Sequence, residues 1–315
     1  MKIKQIALLV SALTAAGAVS AAPFIPPAGP IYVKFDNLEQ ASVTNSIAVP
    51  GGSSNLNGEG NWGVFRVSSI DTGTISTANT EIGPGDSTIF NNQLGVGQIS
   101  GIFYGISNTV DPSSTATNLV LNGSGGFMDF YWDEGAGANI TGQDIAGNTF
   151  LPSARTDEHL AGKFTDGVFL GRLAFAPGVV TGNSTISMQG DFSGSTVNGA
   201  GQTTSYLDVV DVNSDGVLDA LDGAWASIFD SNWFFMDVNG NGTKGETGEK
   251  RDLRLITNTT HLANGNWDGV DANGNPIIGL VSRDPATTYV VPEPGSLALM
   301  GLGLVGAGLI SRRRK

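Results

Sequence analysis

Short apolar runs alternate with clusters of glycine, serine, threonine and asparagine along most of this chain. The clearest runs are residues 31–35, 62–67, 99–106, 127–132, 168–175 and 186–192. In the last run Ile186, Met188 and Phe192 share one face while polar side chains occupy the other, which is the period of two of a half-buried strand. Clusters such as 50–55 and 122–126 are typical of turns. The pattern predicts an all-β body.

The first residues have a different pattern, a short basic start followed by an apolar run. Lys2 and Lys4 precede residues 6–19, which are almost all apolar or small, and small side chains follow at Val19, Ser20 and Ala21. This order is typical of a secretory signal peptide. We predict a signal peptide over residues 1–21 with cleavage before Ala22; the alternative is a buried N-terminal helix.

The last residues combine three features in a fixed order. Pro292, Glu293 and Pro294 come first, an apolar stretch covers residues 297–310, and Arg312, Arg313, Arg314 and Lys315 end the chain. A helix through the apolar stretch would be about 22 Å long. That is shorter than the roughly 30 Å hydrocarbon core of a bilayer. The basic end should stay in the cytoplasm, with the rest of the chain outside.

This C-terminal order resembles the PEP-CTERM sorting signal. The resemblance implies recognition by exosortase, a membrane protease of exopolysaccharide-producing Gram-negative bacteria. It also implies a transient stay in the inner membrane, removal of the tail near residues 292–294, and release or attachment at the cell surface. The alternative is a permanent membrane anchor.

Composition agrees with export. The chain has no cysteine, so disulfides and thiolate metal sites are excluded. It carries 29 acidic and 16 basic residues, and six of the basic ones lie in the two terminal segments. Such an acidic chain repels phosphate backbones, so nucleic acid is not an expected partner. Divalent cations are the natural partners of this surface.

Residues 211–222 have the spacing of a twelve-residue calcium loop of EF-hand type. Gly216 supplies the sharp turn at position six, and oxygen ligands favour Ca²⁺. The candidate ligands are Asp211, Asn213, Asp215, the Val217 carbonyl, Asp219 and Asp222. Because position twelve is Asp, the loop resembles that of dockerins, and helical spacing over residues 218–229 predicts a helix after it. The alternative is an Asx-rich turn without an ion.

A second candidate loop begins at Asp237. Its expected ligands are Asp237, Asn239, Asn241 and the Thr243 carbonyl. Position twelve is Gly248, which has no side chain to offer, so Glu246 or Glu249 would have to substitute. Two loops at this separation resemble the tandem organisation of dockerins. A third run, residues 271–275, is followed by Pro276 and is better explained as a turn.

Catalytic patterns are weak. The sequence Asp157-Glu158-His159 has no marked nucleophile elsewhere, and an exposed polar loop explains it better. Asp129, Asp133 and Glu134 lie in or beside an aromatic strand and could act as paired carboxylates on a glycoside. Aromatic side chains on a strand are more often part of a core. We therefore expect a protein that is not an enzyme.

The predicted organisation is mainly β: a β-sandwich or irregular β-barrel body, a small module of calcium loop and helix, and a C-terminal apolar sorting helix. The divisions are signal peptide 1–21, body 22–204, calcium module 205–258, remaining β structure or linker 259–291, and tail 292–315. The expected function is that of a non-catalytic surface or matrix protein linked to exopolysaccharide, biofilm or flocculation. A calcium-dependent docking module and a polysaccharide hydrolase are the alternatives.

Overall fold

The computed structural model describes residues 23–47, 58–92, 97–133, 164–165, 167–193, 200–262, 267–271 and 273–290. The predicted signal peptide and the sorting tail lie outside them, and so do the turn at 50–55 and the triplet 157–159.

Antiparallel strands make up almost all the regular structure of the described ranges, which also contain one short helix. The strands are β1 (Gly29–Ala41), β2 (Asn61–Thr77), β3 (Glu81–Asn91), β4 (Gln98–Val110), β5 (Asn118–Ser124), β6 (Phe127–Asp133), β7 (Val168–Ala176), β8 (Met188–Ser193), β9 (Gly201–Val209), β10 (Phe234–Phe235), β11 (Lys250–Arg251), β12 (Leu253–His261), β13 (Gly269–Val270) and β14 (Pro276–Val290). The helix α1 covers Ala226–Phe229. The prediction of a mainly β chain is confirmed.

Most strands belong to one large, branched sheet. Its order is β3-β2-β1-β14-β12-β9-β7-β6-β4-β5-β8, with β13 added to β14. The sheet branches because β2 and β9 each pair with two different strands along the same edge. Residues 61–66 of β2 pair with β4, whereas residues 69–77 pair with β3. Residues 201–205 of β9 pair with β8, and residues 206–209 pair with β7. The result is a large sheet and not a clear barrel.

The predicted strands and turns mostly fall where the structure has them. All six apolar runs lie wholly or largely within strands, namely β1, β2, β4, β6, β7 and β8. The turn predicted over 122–126 is shorter, because residues 122–124 belong to β5. The chain reverses at Gly125 and Gly126, where φ is 66° and 95°. A side chain at Gly126 would also meet the Ile106 side chain.

Aromatic side chains build the centre of the main core. The ring of Phe65 lies 5.4 Å from that of Phe35 and 4.9 Å from that of Phe130. Trp225, which comes from the segment between β9 and β12, lies 5.7 Å from Phe130. This segment therefore contributes to the same core as the strands.

A second core cluster is organised by two stacked tryptophans. The rings of Trp62 and Trp267 lie 5.5 Å apart. Gln40 joins them, since its side chain accepts a hydrogen bond from Trp62 Nε1 at 2.9 Å and donates one to the Trp267 carbonyl at 2.9 Å. Stacking and both hydrogen bonds hold β1, β2 and the segment before β13 together.

The last described strand is a central one. β14 pairs with β1 from Gly29↔Val290 to Ala41↔Ile278, and it pairs with β12 on its other side. The interval 259–291, predicted to be remaining β structure or linker, contains this strand. The predicted sorting tail therefore begins just after a buried strand ends.

The two candidate calcium loops lie on one excursion from the sheet. β9 and β12 are neighbours, paired from Leu207↔Leu253 to Gly201↔Thr259. Residues 210–252 leave the sheet at the end of β9 and return to it at the start of β12. The interval 205–258 thus contains the paired ends of two strands as well as both loops.

Candidate metal centre

The first loop is fixed to the sheet at both ends. The backbone N–H of Val210 donates to the Arg172 carbonyl at 2.9 Å, and that of Trp225 donates to the Leu170 carbonyl at 2.7 Å. Gly223 has φ 115°, and a Cβ there would collide with the backbone of Leu170. The loop of residues 211–222 is therefore held against β7.

The helix expected after this loop is much shorter than its spacing predicted. Only α1 is helical, and Leu221 is 72% exposed. The positive φ of Gly223 interrupts the helix, because that backbone conformation is left-handed. Trp225, Ile228 and Phe229 are buried, as the spacing predicted.

Inside the first loop the side-chain oxygens accept hydrogen bonds from backbone N–H groups. Asp211 accepts from Ser214 and Gly216, both at 2.7 Å. Asn213 accepts from Asp215 at 2.9 Å. Val217 donates to Asp215, and Leu221 donates to Asp219. The Val217 side chain is a hydrocarbon, so only the backbone carbonyl of this residue could be a ligand.

Asp222 closes the first loop. Its side chain is fully buried. One carboxylate oxygen accepts from the N–H groups of Val212 and Asn213, and the other accepts from that of Asp219 at 3.1 Å. Burial raises the pKa of Asp222, but these three donors outweigh burial and hold the pKa below its usual value. The structure thus brings position twelve next to positions two and three.

These contacts suit both explanations of the first loop. Within the described ranges, no group of three or more His, Asp or Glu side chains is placed to hold a metal. The loop is folded as an Asx-rich turn, and its carboxylates lie along it. Calcium binding by residues 211–222 stays a prediction.

The second loop connects the strands of a two-stranded ribbon. β10 and β11 pair through Phe234↔Arg251 and Phe235↔Lys250. The amides of Asn239 and Asn241 both donate to one oxygen of Glu246, each at 2.9 Å. Gly182, from the connection between β7 and β8, donates to the Asp237 carbonyl at 3.2 Å. Residues 237–249 are therefore packed on the sheet domain.

The Glu249 carboxylate accepts from the backbone of the second loop, as that of Asp222 does in the first, whereas the Glu246 carboxylate accepts only from side-chain amides. Glu249 Oε1 accepts a hydrogen bond from the N–H of Asn239, the third residue of the loop, at 3.0 Å. Thr243 donates its N–H to Asn241 at 2.7 Å, and Thr243 is exposed. Spacing alone did not distinguish the two glutamates.

The described catalytic candidates are engaged in structural contacts. Asp129 is buried and receives two hydrogen bonds from the Arg172 guanidinium, at 2.7 and 2.8 Å. The hydrogen bond to Asp129 raises the pKa of Arg172, so the guanidinium stays charged. Asp133 ends β6, and Glu134 lies outside the described residues. The second of the two histidines in the sequence, His261, is also in such a contact, because its Nε2 lies 2.9 Å from Asp268.

The Asp/Asn run that begins at residue 271 forms a turn, as expected. The N–H groups of Asn273 and Asn275 donate to Asp271 Oδ1, at 2.8 and 2.7 Å. Hydrogen bonding, first of all from the Asn275 amide, lowers the pKa of Asp271.

Two buried carboxylates inside the sheet were missed by the sequence analysis. Glu39 is 4% exposed, and burial raises its pKa to about 7 although Asn61 donates to it. Burial, and then the charge of Glu39, raise the pKa of Asp284 well above its usual value. Both line a cavity of about 30 Å³, room for about two water molecules. Alternation along β1 could have found Glu39, since it shares the inward face of Phe35.

Comparison with known proteins finds the sorting signal. A family model described as the PEP-CTERM protein-sorting motif matches residues 290–315. No curated protein and no solved structure matches the chain. Helices long and apolar enough to cross a bilayer do not occur in the described part, which ends before the apolar stretch 297–310. The motif marks exported, surface-targeted proteins and is recognised by the processing enzyme exosortase.

Proposed function

We propose that this chain is an exported, non-catalytic protein of the cell surface or extracellular matrix, acting with exopolysaccharide in biofilm or flocculation and stabilised by Ca²⁺. The match of residues 290–315 to the PEP-CTERM motif carries the proposal. The basic and apolar start of the chain supports it, because a secreted protein needs such a leader. The link to exopolysaccharide comes from the resemblance to PEP-CTERM proteins.

The end of the sheet supports a disposable tail. Val290 is buried and pairs with Gly29 at the end of β14. Cleavage near residues 292–294 would leave every described strand intact. The commitment of Asp129 to Arg172 supports a non-catalytic role, because both carboxylate oxygens are already bound.

Processing can be tested by mass spectrometry of the protein recovered from the cell surface. We expect a chain that starts at Ala22 and ends near residues 292–294. Replacing Glu293 by alanine should keep residues 295–315 attached, because the motif would no longer be recognised. The matched control is Glu81→Ala, which removes an exposed carboxylate from β3. Surface protein that still carries residues 295–315 would contradict the proposal.

In this proposal Ca²⁺ stabilises the fold and takes no part in a reaction. The first loop joins β9 to the segment that carries Trp225 into the main core. An ion on Asp211, Asn213, Asp215 and Asp222 would fix that connection. Because such an ion binds the folded chain and not the unfolded one, it would stabilise the fold by mass action.

Thermal unfolding tests this role. Extracellular calcium modules bind with dissociation constants of about 10⁻⁴ to 10⁻³ M, so 1 mM Ca²⁺ at one site should raise the melting temperature by about 1 to 5 °C. A chelator should reverse the rise, and Asp215→Ala should reduce it. The control is Asp86→Ala, an exposed aspartate of β3. An unchanged melting temperature in the unaltered protein would exclude the calcium role.

A further inference from the structure

We propose that Asp237 and Glu249 hold a second Ca²⁺ between them, so that the second loop is closed by the residue after position twelve. The inference rests on the proposed calcium role of this chain. It is carried by a separate observation: one oxygen of each of these two carboxylates is buried without a hydrogen-bond partner.

The ribbon places these two carboxylates at the mouth of the loop. Met236 donates its N–H to the Glu249 carbonyl at 2.8 Å, continuing the pairing of β10 with β11. Asp237 is therefore the first residue of the loop after the ribbon, and Glu249 is the last residue of the loop before the chain re-enters the ribbon. Gly248, at position twelve, has φ 82° and lets the chain turn into β11.

Each carboxylate uses one oxygen to hold the loop and leaves the other without a partner. Asp237 Oδ2 accepts from the N–H of Gly242 at 3.0 Å, and Glu249 Oε1 accepts from that of Asn239 at 3.0 Å. Asp237 Oδ1 and Glu249 Oε2 are buried and have no hydrogen-bond partner. The two residues are only 9% and 4% exposed. A buried carboxylate oxygen without a donor is costly unless a cation contacts it.

No basic side chain of the described residues neutralises this pair. Arg251, two positions after Glu249, donates instead to the carbonyls of Pro177 and Gly248, at 2.7 and 2.9 Å, and lies 3.4 Å from Asp208. Lys250 lies over the ring of Phe235 at 5.2 Å. Among the ion pairs of the described ranges, none includes Asp237 or Glu249. A divalent cation would balance both charges.

The remaining donors of the loop are oxygens, which favour a hard cation. The side-chain carbonyls of Asn239 and Asn241 and the backbone carbonyl of Thr243 lie on the loop between the two carboxylates. Calcium tolerates such an irregular set of ligands better than magnesium, which demands a near-octahedral site. Glu249 is at position thirteen of its loop, whereas Asp222 is at position twelve of the first loop. The glutamate side chain is longer by one methylene group, which compensates for the extra residue. Two carboxylates match the charge of one Ca²⁺ ion, and the other ligands of such a site can be neutral oxygens.

Calcium titration by calorimetry on the purified mature chain distinguishes the two loops. The unaltered protein should bind two equivalents of Ca²⁺, and Glu249→Gln should bind one, with the remaining site lost on Asp215→Ala. Asp237→Asn is the second variant, and it should also lose one equivalent. Glu246→Gln is the matched control and should retain both sites. Far-ultraviolet circular dichroism at each titration checks that the variants are folded.

Each outcome decides between the proposals. Two equivalents bound by folded Glu249→Gln, or loss of a site in Glu246→Gln instead, would overturn the inference. A single site that survives Glu249→Gln and disappears in Asp215→Ala would overturn it while supporting the first loop. A single site with the opposite behaviour would support the inference and exclude the first loop. No binding by the unaltered chain would overturn both.

Discussion

Replacing Trp225 by alanine is expected to lower the free energy of unfolding by about 3 to 5 kcal/mol. Trp225 is 2% exposed, and its ring packs 4.9 Å from Phe229 and 5.7 Å from Phe130. Its indole N–H also donates to the Phe24 carbonyl at 2.8 Å, which ties the segment before β1 to the core. Removing the ring leaves a cavity and an unpaired carbonyl. Urea denaturation at fixed calcium concentration measures the loss.

The matched control for this prediction is Leu221→Ala. Helical spacing places Leu221 and Trp225 on one buried face, but Leu221 is 72% exposed. Its replacement should therefore change the free energy of unfolding by less than about 0.5 kcal/mol. Similar losses in the two variants would show that residues 218–229 form the longer helix after all.

Glu39→Gln is expected to remove a loss of stability that sets in as the pH rises. The pKa of Glu39 is about 7 in the folded protein, against an ordinary value of 4.5. Between those two values the unfolded chain releases the proton and the folded chain keeps it, so stability falls as pH increases through this window. The difference corresponds to about 3 kcal/mol between pH 4 and pH 8. Glutamine carries no charge to bury, so the free energy of unfolding of the variant should fall less over this pH range.

Urea unfolding from pH 4.5 to pH 8.5 measures this effect. Burial also raises the pKa of Asp284, Asp208 and Asp252, so the unaltered protein should lose stability over this range by more than Glu39 alone explains. Comparison with Glu81→Gln, an exposed control on β3, isolates the contribution of Glu39. Equal slopes in the two variants would mean that Glu39 is not protonated in the folded protein at pH 6.

The strands were predictable where a run of apolar residues decides burial by itself. Residues 62–67 and 99–106 are such runs, and both lie within strands. β14 was harder to recognise because Gly279, Arg283 and Pro285 interrupt its pattern. Its extended conformation depends on pairing with β12 and with β1, and β1 lies at the opposite end of the described chain. The helix predicted over residues 218–229 is too long. Gly223 has a positive φ where it lies against the backbone of Leu170, and the spacing of apolar residues does not show that contact.

The candidate site was predictable as a spacing but not as a set of contacts. Counting positions placed Asp211 and Asp222 at the two ends of a loop, and the structure joins those ends. Counting could not choose between Glu246 and Glu249, because the choice depends on the pairing of β10 with β11. The carboxylate of Glu39 was missed because the search for strands followed apolar residues, and an inward-facing acid interrupts that pattern.

The position of β14 constrains the order in which the exported chain can mature. β14 is the last described strand to be synthesised, yet it lies between β1 and β12. A chain emerging from its amino end would therefore present two unsatisfied strand edges until residue 290 had crossed. Such edges invite pairing with other chains, and contacts between distant segments form slowly. The sheet can therefore close only after the residues just before the sorting motif have crossed.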